Sequence, residues 1–223
     1  MNFVEYPDRE FLTLALADRL AGDLAQALRQ DGRASFCVPG GTTPGPVFDT
    51  LSGVDLDWSR VSVFLNDERW VPETSPRSNT RLLRERLLRS KAAAATLVPL
   101  HADAPLPEDQ LEALAEGLAP HLPISVLLLG MGADMHVASL FPGADRLAEA
   151  LSPQAPLLMA LRSDAAGEPR ITLTAPVLRG AMAIHLLITG AEKRNALQRA
   201  ATLSDLEAPV RTVLANATVH WAE

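Results

Sequence analysis

Strand-like and helix-like segments alternate from one end of the chain to the other. This predicts an α/β protein: an open, mostly parallel sheet with helices on both faces and a small hairpin at its edge. Two observations agree. Hydrophobic residues make up 48% of the 223, enough for one substantial core. No internal repeat, linker or low-complexity stretch divides the sequence, so residues 1–223 are read as one domain.

The elements follow in order. Residues 2–6 form a short first strand and 7–29 a helix, with Phe11, Leu14, Leu20, Leu24, Ala27 and Leu28 near helical spacing and Asp31-Gly32 as its stop. The strand 34–38 runs into Pro39-Gly40-Gly41-Thr42-Thr43-Pro44, where Pro44 suits the first turn of a helix to about Leu51, capped by a threonine hydroxyl. A third apolar strand, 60–65, stops at Asn66-Asp67-Glu68-Arg69; the loop 71–79 is long for a strand-to-helix connection, and long loops in compact domains usually carry function. A basic helix is expected over 80–89, a short strand over 95–99 and an acidic amphipathic helix over 107–118, ended by Pro120 and Pro123.

The stretch 124–143, ISVLLLGMGADMHVASLFPG, organises the rest. Its first six residues are apolar enough for a strand buried on both faces; Gly130 and Gly132 turn the backbone, and the apolar run 137–141 is expected to begin a helix. Residues 144–156 are irregular or a short helix. The segments 157–161 and 170–173 read as the edge hairpin, and 175–179 as one helical turn. A buried strand at 183–189, helices at 190–200 and 207–214 and a last strand at 217–221 complete a Rossmann-like arrangement.

The formal charge of −7 disfavours nonspecific nucleic-acid binding but leaves room for a local cationic pocket. An aromatic content of 4% offers no stacking platform for single strands. Cys37 is the only cysteine, which rules out an intrachain disulfide and a four-cysteine metal site. The opening MNFVEYPDRE has no basic segment ahead of a long apolar run, and no stretch reaches about 18 uncharged apolar residues, so a cytoplasmic protein without membrane contact is expected. Apolar helix faces fit either a monomer or a homodimer.

Four loops carry chemistry. In Gly40-Gly41-Thr42-Thr43, successive backbone N–H groups and the following helix N-terminus suit a phosphate or sugar oxygens, although neither the dinucleotide fingerprint nor a P-loop is matched; a plain tight turn is the competing reading. In Asn66-Asp67-Glu68-Arg69, four polar residues after an apolar strand must bond to one another or to a ligand, so Asp67 and Arg69 either pair with each other or serve the site. Arg77, beside Ser78 and Asn79, is expected to reach the cleft as a phosphate clamp or as a charge near a developing oxyanion. At the central turn, Asp134 and His136 supply a carboxylate and an imidazole able to take a proton near pH 7, Asp134 orienting either the ring or the substrate. These two alone do not make a metal site, so no metal is expected. Lys193, on the first turn of a helix, is disfavoured by the helix dipole unless an anion answers it or a surface partner does. Arg170 and Thr172 face either the cleft or solvent.

Taken together these segments resemble the 6-phosphogluconolactonase family, over nearly the whole chain and in the right order. Val38-Pro39-Gly40-Gly41-Thr42-Thr43-Pro44 resembles its phosphate loop. Asn66-Asp67-Glu68-Arg69-Trp70-Val71-Pro72 with Ser78-Asn79 resembles its second signature, and the segment from Gly130 to Gly143 its most specific one. Arg170-Ile171-Thr172-Leu173-Thr174 and Gly190-Ala191-Glu192-Lys193 complete the set. Two positions depart from the pattern. Pro39 stands where the family usually has serine, removing a hydroxyl and an N–H. Met135 stands where it has glycine; if that position needs a positive φ, Met135 is strained and His136 is at risk of displacement, and otherwise Met135 packs beneath the pocket.

The resemblance implies hydrolysis of 6-phospho-D-glucono-1,5-lactone, without a cofactor, and a sugar-phosphate lactone as the only partner. It implies His136, Asp134 and Arg77 as catalytic residues. Gly40, Gly41, Thr42, Thr43, Asp67, Arg69, Asn79, Gly132, Arg170 and Lys193 would then hold substrate and phosphate. Glucosamine-6-phosphate deaminases share the phosphate loop and the histidine turn, but carry an acidic residue after the histidine where Ala138-Ser139-Leu140-Phe141-Pro142 has none. A non-catalytic sugar-phosphate sensor is the third reading. Ser139 lacks a nucleophile elbow and is expected to cap backbone.

Overall fold

The computed structural model describes residues 1–223. β1 (Asn2–Glu5) leads through α1 (Arg9–Asp31) to β2 (Ala34–Val38), and α2 (Gly45–Ser52) to β3 (Val61–Leu65) and β4 (Asp67–Arg69). Then come α3 (Asn79–Arg86), β5 (Thr96–Leu97), α4 (Leu111–Leu118), β6 (Val126–Gly130), α5 (Leu147–Leu151), β7 (Leu158–Leu161) and β8 (Arg170–Leu173). The chain ends with α6 (Ala175–Arg179), β9 (Ala183–Thr189), α7 (Gly190–Ala200), α8 (Arg211–Leu214) and β10 (Ala217–Ala222).

Seven strands form one parallel sheet in the order β1-β10-β9-β6-β2-β3-β5. Its central strands are buried on both faces: every residue of β2 is buried, and so are five consecutive residues of β9. This is why they read as continuous apolar runs rather than as alternating ones. The connection after β2 leads to one side of the sheet and the connection after β6 to the other. The crevice between the carboxyl ends of β2 and β6 is therefore the topological switch point, where open α/β sheets bind ligands.

α1 is opened by the Asp8 carboxylate, which accepts from the Phe11 N–H at 2.7 Å, and closed by Gly32 at φ +71°. Its buried stripe is Leu12, Leu16, Leu20, Leu24 and Leu28, while Phe11 and Leu14, expected on that face, are exposed. No helix is long and apolar enough to cross a membrane.

Several local expectations are corrected. The β7–β8 hairpin forms, but its partner is β4, in a separate antiparallel sheet ordered β4-β8-β7. One residue, Asn66, separates β3 from β4, so this small sheet hangs from the carboxyl end of the large one and walls the crevice. The run 137–141 is not a helix: Met135 at φ +67° and Ala138 at φ +49° break any helical path, and Val137 and Leu140 close a tight bridge instead. α2 has Pro44 at its cap with no threonine side-chain bond; the Thr42 carbonyl accepts from Gly45 N–H. The acidic segment begins as a 3-10 turn over Pro107–Gln110 before α4.

Candidate active site

A cavity of about 360 Å³ opens at the switch point. Gly40, Gly41 and Thr43 of the β2 loop face Gly130, Gly132 and His136 of the β6 loop across it, and Asn66, Asp67, Arg69 and Asn79 close one side. Arg170 of the small sheet, Phe141, Ala165, and Lys193 at the start of α7 complete the wall.

The β6 loop fixes a hydrogen-bonded carboxylate and imidazole. His136 Nδ1 lies 2.6 Å from Asp134 Oδ1, and the same oxygen accepts from the His136 backbone N–H at 3.3 Å. Burial pushes the Asp134 carboxyl up, but the hydrogen bond and charge of His136 outweigh it and hold the group below its usual range. An ionised Asp134 can only accept, so Nδ1 carries a proton; in the neutral ring this leaves the lone pair on Nε2, the tautomer a general base needs. Phe141 packs against the ring at 4.2 Å between centroids. A Cβ on Gly132 would lie 2.3 Å from Asp134 Oδ1 and 2.3 Å from His136 Nδ1, so this glycine makes the close approach possible. Asp134 sits behind the histidine, outside the lining.

On the opposite wall, Gly40 packs against Asn79, where an added Cβ would stand 2.0 Å from Oδ1; Gly41 takes φ +82°. Asn79 is held by Asp67 O through Nδ2 at 3.2 Å. Behind them Glu68, fully buried, accepts from Ser78 Oγ, the N–H of Asn79 and the N–H and Oγ1 of Thr80, at 2.7–3.2 Å. This carboxylate at the head of α3 ties the β4 segment to the 78–80 segment and thereby places Asn79.

Asp67 and Arg69 do not pair with each other. Asp67 accepts from Ser139 Oγ at 2.5 Å and lies 3.6 Å from Arg170 Nη1. Ser139 therefore braces Asp67 instead of capping backbone, and its own N–H donates to Thr172 Oγ1. Arg69 donates from Nη1 to the Arg77 carbonyl at 2.7 Å. Arg170 and Thr172 point inward, both buried, with Arg170 on the cleft. Burial lowers the Arg170 pKa, and neighbouring Arg69 and Arg77 push the same way against the pull of Asp67 and Glu168. Lys193 is half-buried with its pKa lowered, chiefly by burial, with Glu192 and Asp134 pulling it up. Burial disfavours the charged form of both groups, a cost that an anionic ligand in the cleft offsets.

Two expected residues are elsewhere. Arg77 lies outside the cleft: its side chain is 57% exposed, and Nη2 pairs with Glu168 Oε2 at 2.5 Å. Thr42 is exposed and lies outside the lining; its carbonyl accepts from Gly45 N–H in the turn into α2.

A family model described as glucosamine-6-phosphate isomerases/6-phosphogluconolactonase matches residues 7–221. The chain belongs to this family. It is 42% identical to a 6-phosphogluconolactonase of Rhizobium meliloti (strain 1021), over all of this chain and 98% of that one. It is 41% identical to one of Pseudomonas aeruginosa, over 92% of this chain and 88% of that one. Among solved structures, a 6-phosphogluconolactonase from Shewanella baltica OS155 superposes with a TM-score of 0.96 at 34% identity, covering 100% of this chain and 98% of that one.

Within the glucosamine-6-phosphate isomerase/6-phosphogluconolactonase family the two departures have plain structural outcomes. Pro39 lines the cleft without an N–H, leaving the donors there to the glycine amides and Thr43. Met135 does occupy the left-handed region, and it is buried; its N–H donates to Gly132 O at 2.9 Å and its carbonyl accepts from Val210 N–H at 3.0 Å. Both bonds hold the turn, and His136 stays on Asp134. Sequence reasoning missed Glu68 as the buried tie, Phe141 under the histidine and Glu168 among the arginines. Ser78, Asn79 and Thr80, at the end of the 71–79 loop and just after it, each able to donate to Glu68, were the only signal for the first; the other two lie in segments that meet the site only through tertiary packing.

Proposed function

We propose that the chain hydrolyses 6-phospho-D-glucono-1,5-lactone to 6-phospho-D-gluconate in the oxidative pentose phosphate pathway, with His136 as general base. The observation that carries the chemistry is the Asp134–His136 pair, with His136 lining the same cleft as Arg69, Arg170 and Lys193. Family membership at 42% identity to a full-length 6-phosphogluconolactonase supports the substrate.

In this reading the phosphate rests among Gly41, Thr43, Arg170 and Lys193, and this remote binding energy holds the lactone carbonyl against the histidine. His136 Nε2 takes a proton from water as the water oxygen bonds to C1 and the carbonyl electrons move onto its oxygen. When that oxyanion collapses, the C1–O5 bond breaks and the imidazolium returns the proton to O5. Asp134, ionised throughout, steadies the imidazolium. Arg69 joins Arg170 at the phosphate, and Asn79, being on the cleft, takes the role near the oxyanion that sequence reasoning gave to Arg77. The lactone is reactive enough for acid-base help to suffice, so the reading calls for no cofactor. A cytoplasmic location fits a soluble metabolite as substrate, and a monomer or a homodimer serves equally.

The test is lactone loss after fresh generation by glucose-6-phosphate dehydrogenase, comparing wild type, His136→Ala and a blank. Fast loss with wild type and near-blank loss with the variant is expected. A folded wild type that matches the blank removes the lactonase reading.

A further inference from the structure

Arg69 and Arg170 are direct cross-strand partners in the small sheet. Like charges in that register repel, yet both side chains lie on one wall of the cleft. Glu168 answers them. Its carboxylate, 13% exposed, is shared by three guanidinium groups: Oε2 meets Arg77 Nη2 at 2.5 Å, and Oε1 stands 3.5 Å from Arg170 Nε and 3.8 Å from Arg69 Nε. The last two distances are too long for hydrogen bonds. Oε1 and both Nε atoms are accordingly buried with no hydrogen-bond partner. The loop that carries Glu168 also holds Arg170 directly, through Nη2 to Ala166 O at 3.3 Å. Arg77, on the solvent side, is the latch that keeps the carboxylate in place.

We propose that Glu168 is a positioning residue: held by Arg77, it sets the spacing and aim of Arg69 and Arg170, so that their outward N–H groups meet the oxygens of a phosphate in the cleft. The three unbonded atoms mark a cluster left slightly open, which tightens when an anion takes up the surplus positive charge of the pair. This rests on the cleft's reading as a sugar-phosphate site, but its first test needs no turnover.

Charge counting alone makes the opposite prediction, because removing a carboxylate beside an anion site strengthens anion binding. The probe is inorganic phosphate, titrated calorimetrically into wild type, Glu168→Gln, Arg77→Ala and the double variant, with KM and kcat for the lactone measured alongside. Glu168→Gln is expected to weaken phosphate binding about tenfold and to raise KM by a similar factor, with kcat within about twofold of wild type. Arg77→Ala should shift both in the same direction, and the double variant should be no worse than the poorer single one, because the two act as one unit. Unchanged or tighter phosphate binding in Glu168→Gln, or additive losses in the double variant, overturns the proposal. Should Glu168→Gln not fold, unchanged phosphate binding in Arg77→Ala, an exposed site, overturns it equally. Failure of the lactonase reading is distinguishable: wild type would then lack turnover whatever the phosphate titrations gave.

Discussion

Gly132 and His136 are fitted to each other: a methyl group on Gly132 would stand 2.3 Å from the ring's Nδ1 and 2.3 Å from its Cε1. The atoms in the way belong to the side chains of Asp134 and His136, which can swing aside, rather than to backbone. The fold should therefore survive Gly132→Ala while the pair loses its geometry. We expect an unchanged circular dichroism spectrum and thermal midpoint, with kcat down about 100-fold, the scale of loss from a misplacement near 1 Å. A variant retaining full kcat would show that the ring need not sit where it does.

Glu68 has the opposite profile. It touches no cleft surface, yet it is fully buried and accepts five hydrogen bonds, from Arg69 N–H, Ser78 Oγ, Asn79 N–H, Thr80 N–H and Thr80 Oγ1. Removing the acceptor leaves buried donors bare, at a cost of roughly 1–3 kcal/mol for each group that water cannot reach. Glu68→Ala should lose about 3 kcal/mol or more in urea unfolding. Residual kcat in the folded fraction should fall as well, since Asn79 is placed through this carboxylate. A loss below about 0.5 kcal/mol would put the donors in contact with solvent.

The alternation of elements, the parallel sheet and the two glycine loops at its switch point were legible because each rests on local pattern: continuous apolar runs, a helical period, glycines directly after strands. The contact between Asp134 and His136 was legible for the same reason, the two being two residues apart on one turn. What escaped depends on distance in the chain. Asp67 bonds Ser139, 72 residues away. Arg69 meets Arg170 only because β4 adds to the hairpin, and a three-residue strand of Asp, Glu and Arg carries no apolar signal. Arg77 was misplaced because a loop arginine near a site reads the same whether it faces the ligand or, as here, a carboxylate far along the chain.

A polar chain crosses the core beneath α1, remote from the cleft loops. Tyr6 Oη lies 2.8 Å from His220 Nδ1, His220 Nε2 lies 3.0 Å from His185 Nδ1, and His185 Nε2 lies 2.9 Å from Asp23 Oδ2, which also accepts from Arg19. Burial above all, then the neighbouring His185 and Arg19, push His220 from 6.5 down to about 3, against the pull of Asp23. Unfolded, this histidine takes a proton near pH 6.5, and folded only near pH 3. Between those values the unfolded state holds more protons, so the contribution is full above pH 6.5 and fades as pH falls. Urea unfolding from pH 7 to 4 should show stability declining by up to about 1.4 kcal/mol per pH unit, and His220→Gln should flatten that slope whatever its own stability at pH 7. Equal slopes would mean that His220 protonates in the folded protein.

Met135 sets two effects against each other. Its φ of +67° is a conformation that glycine adopts freely and other residues at a cost of about 1 kcal/mol, so Met135→Gly relieves strain. The side chain is nevertheless buried at 9% exposure within the main core, and deleting a buried methionine side chain costs about 2–5 kcal/mol. Lost packing outweighs relieved strain, so the variant should be less stable by about 1–3 kcal/mol despite having the residue that the backbone prefers. Turnover should stay within a few-fold, because His136 is held by Asp134 and Gly132 rather than by Met135. Urea unfolding and kcat on the same preparation decide it. A stabilised Met135→Gly would mean that the methionine packs too loosely to offset its backbone, and a large fall in kcat would mean that it supports the histidine turn directly.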